Sequence, residues 1–320
     1  MARNRNWTFR FPRSIIAVMR SVHVALAVLV AAVWGLNFVV IDVGLNDFPP
    51  LLLSALRYLL ASLPLIALGG PRPAPWRWIV AAGVAIGLVQ FSLLFIGMDV
   101  GMPAGLASVL MQTQALFTIA FAVPLLHERI GAVQVGGVLL ALAGLALVAG
   151  GLDGGATVPG SLLVLGAAAG WGAGNICVRA ARPDDPLRFM TWICLVPPLP
   201  LLALSLAAEG PGQIGAALSG LDLGGLGAVA YIAFVATTLG WAAWASLLKR
   251  YPAAVVAPFS MLVPIFGLGS AALLLGEPLT FRRMVATALV VGGVMITLHA
   301  SRAPHSAKRA GAAAPAPSRA

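Results

Sequence analysis

The chain has 320 residues, of which 60% are hydrophobic and 9% charged, where soluble domains carry about a quarter charged. With a mean hydropathy of +0.97, this excludes an ordinary soluble fold and points to a polytopic membrane protein. The net charge of +10 does not signal nucleic acid, because the basic residues sit in two tails and short connections rather than on one soluble face.

Residues 1–21 form a basic cytoplasmic arm with Arg3, Arg5, Arg10, Arg13 and Arg20. It imitates the start of a signal peptide, but nine further apolar runs follow, so an uncleaved first helix is expected. Met19 is also a plausible start. About 20 helical residues span the ~30 Å hydrocarbon layer. On that ruler ten helices are predicted, five at 22–42, 50–69, 76–97, 103–126 and 131–150, and five at 159–180, 187–208, 222–248, 253–276 and 281–300. Residues 301–320 are rich in Ala, Pro and Arg and read as a disordered cytoplasmic tail.

Charge fixes the orientation. With the N-terminus inside, 17 of the 20 Lys and Arg residues fall on the cytoplasmic side and only Arg282 and Arg283 outside, leaving Arg57 within a span. Such a bias predicts both termini in the cytoplasm and an even number of spans.

The first helix holds a polar break, Trp34-Gly35-Leu36-Asn37, and a similar one returns at Trp171-Gly172-Ala173-Gly174-Asn175. Trp34 and Trp171 differ by 137 positions, as do Pro49 and Pro186; Pro103-Ala104 and Pro252-Ala253 differ by 149, as do Glu128 and Glu277. Each half (22–150 and 151–300) has five predicted helices, an odd number, so the halves insert with opposite orientation. That is the inverted-repeat pattern of secondary transporters, whose sites lie near the midplane between repeats. The fold class expected is therefore an all-α polytopic membrane protein of ten transmembrane helices in two inverted five-helix repeats.

Several stretches carry a family resemblance: WGLNFVVI (34–41), PPLLLSALRYLLA (49–61), GMPAGLASVLMQTQALFTI (101–119), GNI (174–176), YIAFVATTLGWAAWASLLKRY (231–251) and VAPFSMLVPIFGLGSAALLLGE (256–277). The chain resembles the EamA-type members of the drug/metabolite transporter superfamily and, within it, the bacterial exporter of O-acetylserine and cysteine. The mixed polar and apolar motifs, GMPAGLAS followed by MQTQ and VAPFSMLVP, are the specific ones. The resemblance implies export of small amino acids or related metabolites by alternating access. Efflux of drugs or other apolar or cationic compounds by the same fold is the second reading.

The candidate substrate-binding residues are Trp34, Asn37, Arg57, Gln90, Gln112, Gln114, Trp171, Asn175, Tyr231 and Trp241. Arg57 lies about two turns, roughly 10 Å, into its helix. An intramembrane Arg is costly and faces protein or a water-filled cavity; it reads either as a carboxylate clamp or as a charge tied to helix carbonyls or an outer acid. The 137 offset sets Cys194 opposite it, so any role belongs to one half. Amides suit a zwitterionic amino acid, with donors for its carboxylate and acceptors for its ammonium. Gln112 and Gln114 are two apart and do not share a face, so one of them is expected to bridge helices. The tryptophans read as anchors, packing or a wall facing an ammonium. The central cavity is expected between helices one, three, four, six, eight and nine. No acid lies in the middle of any span, and Glu128 and Glu277 read as helix-end charges. Cys177 and Cys194 read as packing residues. With no metal spacing, Cys/His set or phosphate loop, neither a cofactor nor enzymatic chemistry is expected; the partners are a small-molecule substrate and the lipid bilayer.

Overall fold

The computed structural model describes residues 19–68, 70–126, 131–149 and 156–300. The predicted tail, the arm up to residue 18 and Glu128 lie outside the described residues. Within them the chain is helical throughout: α1 (Ser21–Asp47), α2 (Pro50–Leu68), α3 (Trp76–Asp99), α4 (Ala104–Leu110 continuing through a 3-10 turn to Gln114–Leu126), α5 (Ala132–Ala149), α6 (Val158–Ala181), α7 (Pro186–Ala208), α8 (Gly210–Ser219), α9 (Leu223–Arg250), α10 (Ala253–Val256, a 3-10 turn and Val263–Leu274) and α11 (Phe281–Ala300). Eight of these are long and apolar enough to cross a membrane over their described residues; α2 and α5 supply shorter apolar stretches.

Three differences from the sequence reading have local causes. α1 runs on to Asp47 because no breaker intervenes before Pro49; the Asn46 amide donates back to the Asp42 carbonyl at 3.2 Å. α7 is interrupted between Ile193 and Pro198, where two adjacent prolines remove N–H donors from the ladder. The connection near 209–222 is itself a short helix, α8, with no buried residue.

Irregular turns recur in α3 and α9 and again in α4 and α10. A π segment occupies Gly83–Gln90 in α3 and another Tyr231–Leu239 in α9. In the second, the Thr237 and Thr238 hydroxyls donate to the carbonyls of Ile232 and Ala233, five residues back. A 3-10 turn occupies Met111–Thr113 in α4 and Ala257–Leu262 in α10, the latter at Pro258.

No half packs on its own. α1 lies against α9 and α10, α6 against α3 and α4, α2 against α7, and α5 against α11. The apolar core accordingly mixes both halves: Phe38, Leu53, Phe95 and Leu110 meet Val164, Leu201, Ile232 and Val263. Five helix starts receive their N–H groups' partners from side chains. Asp185, Asp222 and Thr157 cap α7, α9 and α6. Glu209 accepts from the N–H groups of Leu51 and Leu52 at the start of α2, and Glu277 from Gly105 in the first turn of α4 while pairing with Arg283 at 3.1 Å. Glu277 is thus the helix-end charge that the sequence suggested.

Candidate functional site

The two Trp-Gly pairs mark the places where helices cross. A Cβ on Gly35 would lie 2.5 Å from the Cβ of Phe266 and 2.8 Å from the backbone N of Gly267, so α1 and α10 touch backbone to backbone there. On Gly172 it would lie 2.8 Å from the Cβ of Phe117 and 2.9 Å from the N of Thr118, so α6 meets α4 the same way. Small residues permit such approach in lipid.

Beside each crossing stands its tryptophan. Trp241 of α9 lies between the two, its ring centroid 5.5 Å from Trp34 and 5.6 Å from Trp171, nearly parallel to the latter at 16°. Trp244 extends the row past Trp34 at 5.3 Å, and Phe91 continues it past Trp171 at 6.4 Å. The row is pinned to the π segment of α9. Trp34 Nε1 donates to the Ala236 carbonyl at 3.0 Å, and the Tyr231 hydroxyl at the head of that segment donates to the Val33 carbonyl at 2.9 Å.

Arg57 closes the far end. Its guanidinium carbon sits 3.6 Å from the centroid of Phe91 and 5.5 Å from that of Tyr58. The residue is only 4% exposed, and neither Nε nor Nη1 has an acceptor. Cys194, its counterpart by the 137 offset, is close enough to interact with it electrostatically. Next to this group is a cavity of about 30 Å³ whose walls include Tyr58, Phe91, Cys194, Thr237, Thr238 and Trp241, and which reaches Leu187 in the first turn of α7. Its walls come from α2, α3, α7 and α9, the predicted helices two, three, seven and eight; of the six expected to line the cavity, three and eight do, and one, four, six and nine do not. The glycine crossings press α1 on α10 and α4 on α6 too closely to leave space between them.

The amides take other places. Asn175 Nδ2 donates to Thr118 Oγ1 at 3.1 Å, tying α6 to α4. Gln112 Nε2 donates to the Ser260 carbonyl in the 3-10 turn of α10 at 3.3 Å, so this Gln is the bridging member of its pair, and Gln114 is half-buried. Asn37 and Gln90 are buried, and their side-chain oxygens receive no hydrogen bond. Of the ten candidates, the structure therefore gathers Trp34, Trp171, Trp241, Tyr231 and Arg57 around one row. Tyr58, Phe91, Thr237 and Thr238 were not picked out from sequence; the first two directly follow Arg57 and Gln90, which is the one signal that pointed near them. Among the described residues, no three His, Cys, Asp or Glu side chains are grouped to hold a metal ion.

At the end of the bundle that the cavity reaches, Asp185 joins α7 to α9. It accepts from the N–H groups of Leu187 and Arg188 and pairs with Lys249 at 3.2 Å. Partial burial pushes its pKa up, but the Arg188 N–H, Lys249 and the Leu187 N–H outweigh this and hold the carboxyl below its ordinary range.

Residues 22–150 and 158–299 each match the EamA-like transporter family. The chain belongs to that family. A member of it is a membrane transporter and not an enzyme, in keeping with the apolar helices above. The chain is 41% identical over 292 residues to a Salmonella typhimurium protein named "Probable amino-acid metabolite efflux pump", covering 89% of this chain and 98% of the relative. It is 39% identical to an Escherichia coli K12 protein of the same name, over 87% and 95% of the two chains. The Escherichia coli K12 "Uncharacterized inner membrane transporter YedA" is 25% identical, over 82% and 86%. A solved crystal structure of a protein shares the fold with a TM-score of 0.60 at 19% identity, covering 89% of this EamA-family chain and all of the other.

Proposed function

We propose that this EamA-family protein is a bacterial inner-membrane carrier that exports small amino acids or related metabolites by alternating access. The observation that carries the reading is the buried guanidinium of Arg57 stacked at the end of an aromatic row beside a cavity. A guanidinium offers parallel donors to a carboxylate, and aromatic faces suit an ammonium or an apolar side chain. The names of the two relatives near 40% identity agree with such a substrate. In this reading Arg57 holds the carboxylate, Trp171 and Trp241 flank the rest of the molecule, and Trp34, Tyr231, Asn37, Asn175, Gln90, Gln112 and Gln114 build the seam behind them.

The architecture we infer is ten spans in two inverted five-helix repeats, 22–150 and 151–300, with both termini in the cytoplasm. Support comes from exchanged contacts: Gly35 meets Phe266 while Gly172 meets Phe117, and these pairs differ by the same 137 and 149 positions found in the sequence. The paired π segments and paired 3-10 turns agree. So does the placement of Asp185 and Lys249 at the end assigned to the cytoplasm, which makes the cavity inward-reaching.

The test is efflux from vesicles loaded with labelled cysteine, O-acetylserine and other neutral amino acids, with and without the protein. Faster efflux of at least one is expected. No change for any, together with raised tolerance of cells to cationic dyes, would favour drug efflux, a reading that the aromatic row also permits.

A further inference from the structure

A carrier that alternates must bring its site back after releasing substrate, passing through a state sealed from both sides. Arg57 sets a condition on that step. Arginine stays protonated in proteins, so it cannot shed its charge as a buried lysine would. It is 4% exposed, its Nε and Nη1 have no protein acceptor, and it forms no ion pair among the described residues. The Phe91 face at 3.6 Å is its main compensation, and a cation–π contact is a weaker partner than a hydrogen-bonded anion. Sealing the site around this guanidinium is therefore favoured when an anion sits on it, whichever way the site is travelling.

We propose that the carrier is an exchanger that needs an anion on Arg57 in both directions. The substrate carboxylate serves on the outward leg, and a second carboxylate or a small inorganic anion serves on the return. This rests on the reading of Arg57 as the carboxylate site of an alternating carrier. Tyr58 and Cys194 beside Arg57 bring a phenol and a thiol rather than a carboxylate, and no Asp or Glu pairs with it among the described residues.

The test uses the purified full chain in phosphatidylethanolamine and phosphatidylglycerol vesicles, loaded with a labelled neutral amino acid in a bulky sulfonate buffer. Potassium and valinomycin clamp the potential. The vesicles are diluted into the unlabelled amino acid, into chloride, or into the sulfonate alone. Efflux into the amino acid is expected to exceed efflux into sulfonate by at least about tenfold, the factor that one charge-assisted hydrogen bond is worth. If chloride matches the amino acid, a small anion suffices for the return; if it does not, the exchange is between carboxylates. Equal rates in all three media overturn the exchanger while leaving export standing. No efflux of any label in any medium from well-folded protein overturns the carboxylate reading and the exchanger with it. The variant Arg57→Gln, checked for monodispersity, is expected to lose the preference among media and Arg57→Lys to keep it. A folded Arg57→Gln that retains the tenfold ratio places the requirement on another group and overturns the assignment to Arg57. The wild-type comparison among media decides the main point whether or not the variants fold.

Discussion

At the scale of single residues, Gly35 and Gly172 set how near the helices come. A methyl group at Gly35 collides with the backbone of α10 rather than with a flexible side-chain end. Gly35→Ala is therefore expected to cost about 1–3 kcal/mol, as overpacking does, and to lower the melting temperature in detergent. Gly227→Ala in α9, where an added Cβ meets nothing, is the control and should melt at or above wild type. Arg57 presents the opposite case. Replacing an uncompensated buried charge by an apolar residue of similar volume removes a desolvation cost, by analogy with buried ion pairs replaced by apolar residues, a gain of about 1–4 kcal/mol. Arg57→Leu is expected to melt higher than wild type while losing transport; a lower melting temperature would make the stacking on Phe91 structural and the functional reading weaker.

At the scale of elements, the apolar runs and the Trp-Gly-Asn motifs made the helices and their polar seam legible. The contacts that assemble the site were not. Phe91 meets Trp171, and Arg57 meets Phe91, only because α3 presents that face, and the rotation of α3 is set by a π segment that leaves no composition signal. The break in α7 was legible in principle from Pro197-Pro198, whereas α8 is a 10-residue, glycine-containing segment with only Ile214 and Ala217 turned to the core, too short a pattern to stand out from a connection. Caps are a more local matter. Because Asp185 has a lowered pKa in the folded protein, its contribution is fully present above the ordinary aspartate value near 4 and fades as pH falls through the lower native value. The difference in melting temperature between wild type and Asp185→Asn is expected to be constant above pH 5 and to shrink below pH 4.

At the scale of the whole molecule, the halves are interlocked: each central helix takes its main partners from the other half. The offsets of 137 and 149 in the sequence hinted at two related units, but offsets do not say that the units pack as one body; that follows from which faces the crossings join. The charge bias makes a separate prediction about orientation. A fluorescent protein fused after Ala320 should fluoresce and a phosphatase there should be inactive, while a phosphatase inserted after Glu277 should be active; the reverse pattern would invert the cavity's direction.

The π segment at Tyr231–Leu239 can also be viewed as an α-helix that carries one surplus residue. The wide turn absorbs that residue, so closing the ladder there would leave the downstream face where it is, whereas a residue removed from the regular turns ahead of it, at Gly227, would turn everything downstream by about 100°. Trp241 would then swing out from between Trp34 and Trp171, while Leu247, buried at the far end of α9, would leave its place against the start of α1. A single deletion would thus do to the site what no point substitution there could, by keeping every side chain and misaiming most of them.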